Sequence, residues 1–117
     1  MQKLIKGGYQ RSDPVLDRYT VLKFTDDQVS EEAIAKLTAA FQAALCGVHQ
    51  MDVLRGVIVT DSRLKQTIAD TNNNVCYGAP LLFVLAAKHG SQFAERDAYV
   101  AAENIMVEAT SLVLGSV

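Results

Sequence analysis

The stretch from Asp97 to Ser116 constrains this chain more than any other. Val100, Ala101, Ala102, Ile105, Met106, Val107, Ala109, Leu112, Val113 and Leu114 leave few polar positions in it. The pattern predicts a long helix from about Arg96 to Leu114, apolar on most faces and stopped by Gly115. Such a helix belongs in the middle of a core and not at its edge. Only Val117 follows Ser116, so the expectation is that a second subunit, or sequence that this chain lacks, covers it.

Composition points the same way. The chain has 117 residues, 50% of them hydrophobic, which is high for a small monomer that must expose much of its surface. Its length suits one domain, 1-117, that buries about two-thirds of its unfolded surface and needs no disulfide or metal staple. The 11 basic and 13 acidic residues give a formal net charge of −2, with neither sign in a long block. A nucleic-acid binder would carry a basic patch, so no nucleic-acid partner is expected. The apolar run around Ala79 to Ala87 is too short to span a bilayer, and Met1 to Gly8 lacks the apolar stretch of a signal peptide. The chain therefore reads as cytoplasmic, with no membrane partner. Cys46 and Cys76 are too few for a disulfide framework and form no CxxC pair, so free thiols and no metal site are expected.

No repeat or linker divides the sequence, and the elements read as a single α+β (α/β-like) unit. Asp13 or Ser12 can cap a short helix with Pro14 at its first position, running through Leu16 and Leu22 toward Phe24. Ser30 caps the next: Glu31 and Glu32 sit in its first turn, Ile34, Leu37, Phe41 and Leu45 recur at helical spacing, and Gly47 ends it. Val57 to Thr60 is a β-branched strand after Gly56, and Asp61-Ser62 caps a helix from Arg63 to Ala69. Leu81 to Ala87, behind Pro80, is a continuous apolar run of the kind buried on both faces, a central strand. Two strands alone are marginal in water, so further strands must come from elsewhere.

Four segments, in this order, resemble the FMN-dependent nitroreductase family. Arg18-Tyr19-Thr20-Val21-Leu22-Lys23-Phe24 is similar to the family's Arg-Arg-Ser-x-Arg-x-Phe opening, with Leu22 where a second basic residue often stands. Gly56-Val57-Ile58-Val59-Thr60-Asp61, with Leu64 and Ile68, is similar to the strand and helix after the family's Asn-x-Gln-Pro-Trp loop, although Cys46 to Leu54 holds no Pro-Trp pair. Tyr77-Gly78-Ala79-Pro80 resembles the entry to the family's central strand. Asp97, Ala101, Glu103-Asn104, Ala109 and Leu114-Gly115-Ser116 follow the terminal pattern Asp-x-x-x-Ala-x-Gln-Asn-x-x-x-x-Ala-x-x-x-Gly-Leu-Gly-Ser, with Val113 in place of one glycine.

The resemblance implies a nitroreductase-like central sheet flanked by helices, cut short after the long core helix. It implies a homodimer that binds FMN between its subunits and passes a hydride from NADH or NADPH, through flavin N5, to a nitroaromatic, quinone or enone in a ping-pong reaction. Arg18 and Thr20 would hold the flavin phosphate, a guanidinium fork with a hydroxyl being suited to a phosphate near charge −2. Tyr19 and Leu22 lie in the same motif, and His49 or Gln50 would take the place of the family's loop asparagine. The candidate cofactor site is thus Arg18, Tyr19, Thr20, Leu22, His49 and Gln50. No catalytic residue is assigned, because the flavin carries the chemistry.

Plainer readings stay open on the residues alone. Arg18 and Thr20 also suit a solvated helix end, and His49 a partly exposed loop imidazole. The chain could bind flavin without catalysis, or only associate with itself or a longer relative. Cys46 with His49 has the residue types of a thiol enzyme, but shows no third orienting group.

Overall fold

The computed structural model describes residues 3–5, 9–11, 13–44 and 53–117. Its elements are β1 (Lys3–Ile5), β2 (Tyr9–Arg11), α1 (Pro14–Asp17), α2 (Glu31–Gln42), β3 (Leu54–Val59), α3 (Ser62–Thr71), β4 (Leu82–Ala87) and α4 (Ala94–Ser111). The class is α+β, as expected. Among the described residues the strands form two antiparallel pairs, β1 with β2 and β3 with β4. The first pair was not foreseen, because three-residue strands carry too little alternation to read. The second runs in register from Leu54 opposite Ala87 to Val59 opposite Leu82.

Local chemistry sets the helix starts. The Ser30 hydroxyl accepts from the Ala33 N–H at 3.1 Å, with Glu31 and Glu32 in the first turn of α2, and Asp61 accepts from the Leu64 N–H at 2.9 Å to start α3. Asp13 does the same for α1 through the Leu16 N–H, with Pro14 at the first helical position. Yet α1 stops at Asp17 and does not run toward Phe24. Beyond it the backbone is extended, because the Val21 N–H donates to the Ser116 carbonyl at 2.9 Å and Thr20 bridges Ser116 in parallel fashion. That pairing, with β-branched Thr20 and Val21 favouring extended backbone, wins over local helix formation.

The core lies on α4. Ala101 is fully buried, and Ile105 and Ala109 pack with Leu37 of α2 against Phe83, Leu112 and Leu114. A second cluster joins Ala101 to Ala44 and Leu54, and Phe41 and Leu85 touch both clusters. Small residues on α4 let α2 come close enough for the Asn104 amide to donate to the Ala40 carbonyl at 3.3 Å. The Phe41 and Phe83 rings meet with centroids 5.6 Å apart, tilted at 42°. Gly56 makes room for that pair, since a Cβ there would lie 2.7 Å from Phe83 Cε1.

Two expectations change. Strand β4 alternates and is not buried on both faces, with Val84 38% exposed, because among the described residues β3 pairs with β4 along one edge only. The helix stop is Val113, not Gly115. Its φ is +62°, its N–H donates to the Thr110 carbonyl at 3.0 Å, and the Leu114 N–H reaches the Ala109 carbonyl at 2.8 Å. These two bonds form a Schellman ending, whose left-handed position usually holds glycine. Helix α4 starts at Ala94, two residues before the predicted Arg96, and its Tyr99 (73%) and Val100 remain exposed.

Candidate cofactor site

The extended segment after α1 has two sides. Asp17, Tyr19, Val21 and Lys23 line an open apolar groove of about 980 Å³ together with Leu82, Val84, Met106 and Val117. Arg18, Thr20 and Leu22 alternate with them and stand outside its lining, as extended backbone requires. The predicted set is thus divided: Arg18, Thr20 and Leu22 share one strip, and Tyr19 turns to the groove. Lys23, the neighbouring cation that could have stood in for the missing second arginine, also lines the groove. His49 and Gln50 lie outside the described residues, as does Cys46.

Arg18 closes α1, its backbone N–H donating to the Pro14 carbonyl at 3.2 Å. Its half-buried side chain reaches across to α4, where Nε lies 3.5 Å from Glu103 Oε1. Thr20 and Leu22 are exposed on the same strip. The strip is held in place by its backbone contact with Ser116 and by Gly115, where the chain passes so near Val21 that a Cβ would meet Val21 Cγ2 at 2.8 Å. The donor set, a guanidinium beside a hydroxyl, suits a phosphate ester.

Sequence reasoning placed Glu103 in the terminal motif but did not bring it to Arg18. The signal was present as a carboxylate where the motif has a neutral glutamine; only the crossing of the segment and α4 gives it meaning.

This arrangement, a long core helix against an antiparallel strand pair with an arginine-bearing segment laid along its C-terminal end, is the nitroreductase fold. The chain resembles nitroreductase-family structures along most of its length. A protein described as an NADH oxidase from Clostridium acetobutylicum matches 88% of this chain with a TM-score of 0.80 and 28% identity, and 65% of its own chain is covered. An FMN-dependent nitroreductase from Clostridium difficile R20291 matches 86% with a TM-score of 0.79 and 26% identity, with 55% of its own chain covered. At 20% identity, a Bacteroides fragilis nitroreductase solved with bound FMN shares the fold, with a TM-score of 0.69 over 85% of this chain and 63% of its own. The chain therefore spans less than two thirds of the length of these proteins. No protein-family model and no curated protein matches the sequence. No helix among the described residues is long and apolar enough to cross a membrane.

Proposed function

We propose that this chain is a single domain, 1-117, of an FMN-dependent NAD(P)H oxidoreductase of nitroreductase type. It acts as a cytoplasmic homodimer on nitroaromatic, quinone or enone acceptors. The observation that carries the reading is the strip bearing Arg18 and Thr20 along α4, in a fold shared with FMN-dependent nitroreductases. Exposed apolar side chains on α1, this strip and α4, among them Leu16 (75%), Leu22 (58%) and Tyr99 (73%), support a subunit interface.

In this reading the Arg18 guanidinium and Thr20 hydroxyl bind the phosphate tail of FMN, and Leu22 lends apolar contact beside them. His49 or Gln50 meets the ring or its ribityl chain. When bound, the flavin supplies hydride transfer through N5, so the protein's part is to hold and orient it and to keep water from the cleft. The backbone tie between Val21 and Ser116 keeps the phosphate donors in place relative to α4.

The test is a flavin titration of the purified chain with NADH oxidation measured beside it. Expected are saturable FMN binding, weakened at least tenfold by Arg18→Ala, and NADH oxidation faster than by the same amount of free FMN. FMN binding with no gain in oxidation would make it a non-catalytic flavin binder. No binding, in a protein that still self-associates, would leave only an association role.

A further inference from the structure

We propose that Glu103 sets how tightly the Arg18 end of the site holds a phosphate, by acting as a charged rival for the guanidinium. The inference rests on the phosphate role given to Arg18 under the proposed function, and it concerns a residue outside the candidate set. Glu103 Oε1 lies 3.5 Å from Arg18 Nε, and the two side chains are 54% and 29% exposed. The pair joins the strip to α4, so any anion approaching Arg18 from solvent also approaches the Glu103 carboxylate.

The chemistry distinguishes a carboxylate from the glutamine that stands at this place in the motif which Asp97, Ala101, Asn104 and Ala109 follow. A glutamine oxygen can accept from Nε and steady the guanidinium without adding charge. A carboxylate instead pairs with the guanidinium by charge, so it lowers the local positive potential and repels a phosphate near charge −2 across the width of one guanidinium. The repulsion acts on the charged tail and leaves the neutral ring system untouched. Glu103 therefore makes the site discriminate against a doubly charged tail compared with an uncharged one. Because the pair is open to solvent on its Glu103 side and such ion pairs add little to folding, exchanging the carboxylate for its amide leaves the scaffold standing.

The experiment titrates the full chain, at low ionic strength, with FMN and with riboflavin, which lacks the phosphate, following flavin fluorescence. Four proteins are compared: the unaltered chain, Glu103→Gln, Arg18→Ala and the double variant. Expected is FMN binding about three- to tenfold tighter in Glu103→Gln, an unchanged riboflavin affinity, and loss of the gain in the Arg18→Ala background. Raising the salt concentration should shrink the difference.

If Glu103→Gln leaves FMN affinity unchanged or weakens it while Arg18→Ala still weakens it, the carboxylate orients the guanidinium and the rivalry is overturned, with the phosphate site intact. A gain for FMN and riboflavin alike overturns the charge mechanism. FMN binding indifferent to Arg18→Ala overturns the phosphate role itself, and this inference with it.

Discussion

Gly115 and Val21 lie in closer contact than any side chain at position 115 would permit: a Cβ there would stand 2.8 Å from Val21 Cγ2 and 3.2 Å from its Cβ. The contact presses the strip that carries Arg18 and Thr20 onto the chain leaving α4. Val21 is β-branched and cannot turn both methyl groups away. Gly115→Ala should therefore destabilise the fold by about 1–3 kcal/mol through overpacking. Urea unfolding measures this, and adding Val21→Ala should restore most of the loss.

Val113 offers the opposite case. It holds a φ of +62° at the left-handed position of the Schellman ending of α4, which disfavours a β-branched side chain. Replacing Val113 with glycine should stabilise the protein by about 1 kcal/mol, the relief of strain exceeding the extra chain entropy of glycine. In a thermal melt the midpoint should rise by roughly 3–6 °C.

Leu37 joins α2 to the middle of α4. It is 4% exposed and packs with Ile105 and Ala109, so Leu37→Ala should cost about 2–5 kcal/mol, the lost burial and the cavity adding together. A lower urea midpoint at unchanged slope is the expected signature.

Asp61 begins α3 by accepting from the Leu64 N–H. Asp61→Ala should cost about 1 kcal/mol, whereas Asp61→Ser should retain most of the cap. The comparison is made by denaturant unfolding of the two variants side by side.

Much of this molecule was legible in its residues because the signals are local. The Ser30 and Asp61 caps, the β-branched run at Val57 to Val59 and the apolar spacing of α4 each act within a few residues of themselves, so helix starts, strands and the long core helix follow from them. The motif that carries Arg18 and Thr20 was legible for the same reason. The short hairpin of β1 and β2 was not, since three residues make no pattern, and neither was the early end of α1, where a backbone bond to Ser116 overrides the local preference.

By itself, then, the sequence determined the class of fold, the elements built on caps and periodicity, and a long, largely apolar α4. Only the tertiary structure decided that Arg18, Thr20 and Leu22 lie on one side of an extended segment and Tyr19 and Lys23 on the other. It alone set Glu103 against Arg18 and made Val113, in place of Gly115, the turn that ends α4. The physical reason is range: caps and hydrophobic spacing act along the chain, whereas charge pairing and steric approach act between atoms that the chain brings together only by folding.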